Sequence, residues 1–241
     1  MFKSWMNFLS TPCPLCQEPS TKGLFCSVCQ HDILYSLNHY PHRCSHCLLP
    51  LDKETPCENC REHRLILHRI FIGFDYIPPL NSLLLRFKNS YQPHLSRAFA
   101  HLFHQQLKQQ NISLSPTDIL IPIPSSEQSL QKRGFNPATL FAKDLAKQLG
   151  CQLDVSLLYK HPTQHHQKSL DREDRFAKSS HLYYCIKRYP KKHVILIDDI
   201  LTTGSTLDCA ARALIAAGVE KVDAFVIART AKPLNSYTGT T

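Results

Sequence analysis

Two neighbouring carboxylates, Asp198 and Asp199, close an apolar run and lead directly into hydroxyl residues around one glycine. The string from Ile195 to Thr206 reads I-L-I-D-D-I-L-T-T-G-S-T. Two adjacent carboxylates can accept hydrogen bonds from vicinal sugar hydroxyls, or face a hydrated Mg²⁺. Thr202, Thr203, Gly204, Ser205 and Thr206 are small enough for backbone N–H groups to close on a phosphate. A helix starting there would add its dipole, which favours negative charge. The chemistry is that of holding a ribose together with its 5-phosphate. The plain structural alternative is a strand that ends in two acids before a Ser/Thr helix cap. The order of the whole string argues against it.

A second set of residues can bind metal. Eight of the 11 cysteines form four C-x-x-C pairs: Cys13/Cys16, Cys26/Cys29, Cys44/Cys47 and Cys57/Cys60. Nine residues separate the first pair from the second and the third from the fourth, and the two halves repeat with a period of 31. Two such pairs complete a tetrahedral four-thiolate zinc site with no open position for water, so two structural Zn²⁺ are expected. One site per repeat is the preferred connectivity, and an interleaved one is compatible with the spacing. Disulfides or a single zinc are the alternatives. Met1 to Ser10 lacks the apolar core and small-residue cleavage site of a secretion signal, so a cytoplasmic, reducing location is expected. Cys151, Cys185 and Cys209 stand outside the pattern and read as small buried apolar residues.

A third set is cationic. Lys132 and Arg133 precede Gly134 in what reads as a loop, and Lys88 ends a helix. Cations beside a flexible glycine suit a pyrophosphate, and a solvated turn is the alternative.

The elements that must position these residues follow from pattern. V-I-L-I before the acid pair is too short and β-branched for a helix, and Leu207, Ala210, Ala211, Leu214 and Ile215 then fall at helical spacing up to Gly218. A strand from Val222 to Arg229 completes a βαβ unit, hence a parallel sheet with its site at the carboxyl ends of the strands. The acid pair is expected to face solvent there. Arg69–Tyr76 reads as a strand, 78–88 and Leu95–Gln110 as helices, and Asp118–Pro124 as a short strand stopped by Pro122 and Pro124. Asn136 reads as the N-cap of a helix from Pro137 to Leu149 that Gly150 closes. Tyr183 to Lys187 reads as a further strand. Gln167–Arg175 alternates cations and acids. A mobile loop over a reacting centre and an exposed helical turn fit it equally.

Composition agrees with two parts, a ribbon over 1–65 and an α/β domain over 66–241. The apolar content of 43% is ordinary, whereas the net charge of +9 and pI near 9.0 point to an anionic partner or a solubilising surface. No run of about 18 apolar residues exists, so no membrane span is expected.

The acid-pair string resembles the phosphoribosyl pyrophosphate (PRPP) motif of type I phosphoribosyltransferases. The resemblance implies that Asp198 and Asp199 take the ribose hydroxyls, that Thr202 to Thr206 take the 5-phosphate, and that Lys88, Lys132 and Arg133 take pyrophosphate, with Mg²⁺ accompanying PRPP. Purine-salvage members carry an aspartate base where Thr202 stands, which makes purine transfer an unexpected activity here. The order of double C-x-x-C repeat, L-L-R-F-K, I-P-I-P, K-R-G-F-N, Q-K-S-L-D-R-E-D-R, the PRPP string and V-I-A-R-T covers Cys13 to Thr230. That order is similar to the ComF family. It departs at Pro137, where glutamine is usual, and after Arg175. The family resemblance implies a double zinc ribbon fused to a phosphoribosyltransferase-like sheet. It also implies a cytoplasmic role in natural transformation, handling incoming single-stranded DNA; an adaptor whose ribbon docks on a translocation helicase or recombination mediator is a third reading. The residues alone favour a phosphoribosyltransferase with an unknown acceptor; the resemblance favours a DNA-handling module that retains PRPP binding.

Overall fold

The structure is a computed structural model and describes residues 10–51, 56–62, 64–89, 92–162 and 182–231. The Gln167–Arg175 segment lies outside the described residues.

Five parallel strands form the central sheet: β3 (Arg69–Asp75), β4 (Ile119–Pro122), β5 (Gln152–Leu153), β8 (His193–Leu201) and β9 (Lys221–Arg229). Their order is β3-β9-β8-β4-β5. The chain builds outward from β4 to β5 on one side and from β8 through β9 on the other. The order therefore reverses between β4 and β8, where an open parallel sheet leaves a crevice at its carboxyl ends. Both β8 and β9 are longer than β4, because Pro122 and Pro124 have no N–H to extend the ladder. The last β4–β8 partners are Pro122 and Ile197, followed by an Ile123 N–H bond to the Ile197 carbonyl at 2.9 Å. Among the described residues, β8 beyond Ile197 pairs in the ladder only with β9.

Helices cover both faces. On one side lie α3 (Leu80–Asn89), α4 (Leu95–Gln109) and α6 (Pro137–Leu149), whose apolar stripes meet the sheet through Phe71, Phe103, Phe141 and Phe225. Phe103 sits edge-on to Phe71 at 5.0 Å and to Phe141 at 5.2 Å. Gly73 is required beneath it, since a Cβ there would lie 2.5 Å from the Phe103 ring. On the other side lies α7 (Ser205–Ala216), with a separate antiparallel pair, β6 (Leu158–Lys160) and β7 (Tyr183–Cys185). Strand β7 is shorter than the five residues expected from sequence.

Each half of the cysteine region joins a different face. The first holds β1 (Ser10–Pro12), β2 (Pro19–Thr21) and α1 (Ser27–Tyr35), and it packs Phe25 against Phe99 of α4 at 5.9 Å. The second, with α2 (Glu58–Glu62), joins the α7 side through Cys44, Cys47, Leu65 and Leu67. Between them Arg43 makes a forked pair with the buried Asp75 at the end of β3, at 3.0 and 2.5 Å. The bidentate geometry satisfies both carboxylate oxygens, as a buried charge requires.

Short range signals hold at α6. Asn136 accepts the Ala138 N–H at 3.0 Å and Gly150 takes the left-handed cap. They fail at Lys132 and Arg133, which are not in a loop. They form the last turn of a helix, α5 (Glu127–Arg133), capped by Ser126 and by left-handed Gly134. The glycine is the helix terminator rather than a flexible hinge between cations.

Candidate functional site

The crevice between β4 and β8 holds a cavity of about 250 Å³. Asp198, Asp199 and Thr206 line it from β8 and α7, Lys88 from α3, and Arg133 from α5. These residues come from four elements that meet only because the strand order reverses here. Lys132 does not reach this cavity and is exposed at the surface of α5. Thr202, Thr203, Gly204 and Ser205 form the adjoining turn and are not among its lining residues.

The acid pair differs from the solvent-facing tip expected of it. Strand β8 continues to Leu201, two residues past Asp199, and both carboxylates lie inside the cavity. Lys88 Nζ stands 2.9 Å from Asp199 Oδ1, with the two side chains only 19% and 14% exposed. The Asp199 N–H donates to Asp198 Oδ1 at 2.9 Å. Burial first, then the neighbouring Asp199 charge, pushes the Asp198 carboxyl up to about 7, against the pull of that N–H, Lys88 and Lys160. One acid is thus paired with a cation and the other titrates near neutral pH.

Three groups at the site carried no sequence signal that marked them. Lys160 and Tyr183 enter the cavity from the inner face of β6 and β7, with Lys160 Nζ 5.9 Å from the Tyr183 ring centre. Burial lowers the Lys160 ammonium, offset in part by Asp198. Asn136 lines the cavity as well as capping α6, and its amide donates to the Ile123 carbonyl at 2.8 Å. Alternation across β6 would have pointed to Lys160, had that strand been recognised.

The turn after the acids is held from beneath by the second cysteine half. Asn59 Nδ2 donates to the Thr203 carbonyl at 3.1 Å. Leu65 packs under Gly204, whose φ is +89° and where a Cβ would lie 2.7 Å from Leu65. Arg229, fully buried at the end of β9, donates to the carbonyls of Leu201, Thr202 and Cys47. Its place in V-I-A-R-T was visible; a cation straight after the apolar run Ala224–Ala228 is the signal that could have marked it.

Two four-cysteine groups each bring their sulfur atoms within 4.8 Å of one another: Cys13, Cys16, Cys26 and Cys29, and Cys44, Cys47, Cys57 and Cys60. All are free thiols, grouped one set per repeat. Sulfur pairs at 3.6 Å (Cys16–Cys26, Cys44–Cys60, Cys47–Cys57) fit a tetrahedral ion, since Zn–S bonds of about 2.3 Å put sulfurs roughly 3.8 Å apart. For Cys13 and Cys44, burial raises the thiol, but backbone N–H donors from Cys16, Cys26 and Leu15, and from Cys47 and His46, hold them down to about 7. Burial and then crowding by neighbouring thiols push Cys29 and Cys60 well up, a repulsion that a bound cation would relieve. The donor set fits Zn²⁺, which would supply structural cross-linking there. Of the three other cysteines, Cys209 is buried and Cys151 and Cys185 are half-buried.

Comparison with known proteins gives the class first. A phosphoribosyl transferase domain model matches residues 136–236, which include the acid pair, α7 and β9. A parallel sheet with flanking helices and cysteine clusters at its N-terminal end completes a phosphoribosyltransferase-like fold with a zinc-ribbon element. Whole-chain relatives then give the family. Competence protein F of Haemophilus influenzae is 30% identical over 236 residues, 93% of this chain and 99% of that protein. DNA utilization protein YhgH of Salmonella typhimurium is 28% identical over 227 residues, 90% of this chain and 96% of that one. Competence protein ComFC of Bacillus subtilis is 28% identical over 204 residues, 78% of each. The chain belongs to the ComF family. Among the described residues, no helix is long and apolar enough to cross a membrane.

Proposed function

We propose that this protein serves natural transformation by handling incoming single-stranded DNA in the cytoplasm, and that its domain over 66–241 binds PRPP with Mg²⁺. The names of its relatives support the competence role. One observation carries the ligand: Asp198, Asp199 and Thr206 share a cavity with Lys88 and Arg133 at the switch point of a parallel sheet. Asp198 and Asp199 take the ribose hydroxyls. Thr202 to Thr206 take the 5-phosphate at the start of α7, where Gly204 has no capping side chain and Thr203 Oγ1 accepts the Ser205 N–H only at 3.4 Å. Lys88 and Arg133 take the pyrophosphate. Mg²⁺, when bound, neutralises phosphate charge, and the acid pair is what would hold it. The ribbon over 1–65, with its two zinc ions, offers the surface for a translocation helicase or recombination mediator.

A transferase reading is favoured by one specific observation, the third cation Lys160 over the same cavity. Lys88, Arg133 and Lys160 could together stabilise a departing pyrophosphate while an acceptor attacks C1 of the ribose.

The test titrates full-length, zinc-loaded protein with labelled single-stranded DNA, with and without PRPP and Mg²⁺. DNA handling with retained PRPP binding predicts that each ligand shifts the other's affinity by the same factor. Time-dependent release of pyrophosphate with a supplied acceptor would move the assignment to the transferase. Failure to bind either ligand near physiological salt would overturn both.

A further inference from the structure

Among the described residues, the outer face of the β6–β7 pair carries aromatic rings that stay partly open to solvent. Tyr159 and Tyr184 are cross-strand partners, stacked at 5.7 Å with planes 27° apart, and 37% and 36% exposed. His161 continues the row, 4.3 Å from the Tyr184 ring. The inner face of the same pair does the opposite: Leu158 and Tyr183 are buried, and Lys160 enters the acid cavity. Period-two alternation therefore separates a packed face from a presented one. Exposed stacked rings in a two-stranded element contribute little to a core, and Ile186 and Val155 beside them are also exposed.

Tyr159 and His161 also border a second, larger cavity of about 850 Å³, whose other wall includes Phe135 and Leu140. That cavity shares Pro124, Ser125, Ser126, Asn136 and Lys160 with the acid site. Charge follows in the chain. Lys187, Arg188, Lys191 and Lys192 come just after β7, all exposed, with no acid between Tyr183 and Lys192. Lys187 is three residues past Tyr184, so it lies within about 11 Å of it even if fully extended.

We infer that the Tyr159–Tyr184–His161 row and its bordering groove form a base-stacking site for single-stranded DNA, with the Lys187–Lys192 run taking the phosphates. Rings present flat faces to which any base can stack, and cations track the backbone, which together define sequence-tolerant single-strand binding. A duplex hides its base faces, so the rings select against it. An acidic protein would use the cations and leave the rings idle. The site deepens the single-stranded DNA reading proposed above and rests on it. It also supplies a physical route for coupling, because the groove shares residues with the phosphosugar cavity.

The experiment measures anisotropy of a labelled oligothymidylate with the zinc-loaded full chain. Tyr159→Ala with Tyr184→Ala weakens binding roughly tenfold or more. Tyr159→Phe with Tyr184→Phe keeps it, because the ring and not the hydroxyl is used. An abasic oligonucleotide binds wild type and the alanine variant alike, and PRPP binding is the same in both. Lys187→Glu with Arg188→Glu flattens the salt dependence. Unchanged affinity in the alanine variant, equal loss in the phenylalanine variant, or stronger binding of oligouridylate would overturn the site while leaving DNA binding elsewhere intact. Failure of wild type to bind any oligonucleotide would instead sink the single-stranded DNA reading, and this site with it.

Discussion

Asp198 and Asp199 are adjacent in sequence and unlike in surroundings. Asp199 is paired with Lys88, whereas Asp198 is pushed up to about 7 by burial and by Asp199. Its folded value lies above the ordinary 3.8, so its contribution to the stability of the free protein is fully present below pH 3.8 and is lost as pH rises through about 7. Ligand binding runs the other way, since sugar hydroxyls and cations need the carboxylate. PRPP affinity is expected to rise about tenfold from pH 6 to pH 8, with proton release, as one unit of pKa is a factor of ten. Calorimetry in buffers of different ionisation enthalpy checks this, and Asp198→Asn should remove the dependence. The types of both acids and their order before T-T-G-S-T were legible in the sequence. Their inequality was not, because it depends on the burial of Asp198 and on Lys88 pairing with Asp199, both of which arise only through tertiary packing. Solvent exposure was inferred from a strand tip, yet β8 runs past the acids because β9 still pairs with it there.

At the scale of elements, the turn that follows the acids is supported by chain from the second cysteine half. Arg229 links the Cys47 carbonyl to those of Leu201 and Thr202, so Arg229→Met takes the guanidinium from the Cys47 and Thr202 carbonyls, while Leu201 keeps the Thr230 N–H. A loss of about 1–3 kcal/mol in urea unfolding is expected, with weaker PRPP binding. Gly204→Ala combines a positive φ with a Cβ pressed on Leu65, and it should also weaken PRPP binding by displacing the turn. Because the second half touches the turn and the first touches α3 and α4, Cys47→Ser should reduce PRPP affinity more than Cys16→Ser, while each loses one zinc by metal analysis. The helix α6 was readable from its own ends, Asn136 and Gly150. Helix α5 was missed because Lys132, Arg133 and Gly134 also make an acceptable turn. Its Ser126 cap, which accepts the Ser129 N–H at 3.3 Å, was the overlooked signal.

For the whole molecule, the parallel sheet followed from one βαβ unit, and two metal groups followed from thiol spacing. Neither could say where the cysteine halves dock. Spacing fixes which sulfurs meet, but docking depends on Phe25 finding Phe99 and on Arg43 finding Asp75. The result is a chain in which each cysteine half shares a hydrophobic cluster with one face of the sheet. Removal of zinc by chelation should therefore lower the thermal midpoint of the entire protein rather than release a separate ribbon transition, as scanning calorimetry would show.

The central claim is that the paired acids at the β4–β8 crevice hold a phosphosugar. The most direct measurement is calorimetric titration of PRPP with Mg²⁺ into wild type and into Asp198→Asn with Asp199→Asn, both checked for two bound zinc ions and a cooperative unfolding transition. The account predicts saturable binding to wild type and none to the folded variant. Equal binding to both, or none to wild type, would contradict it.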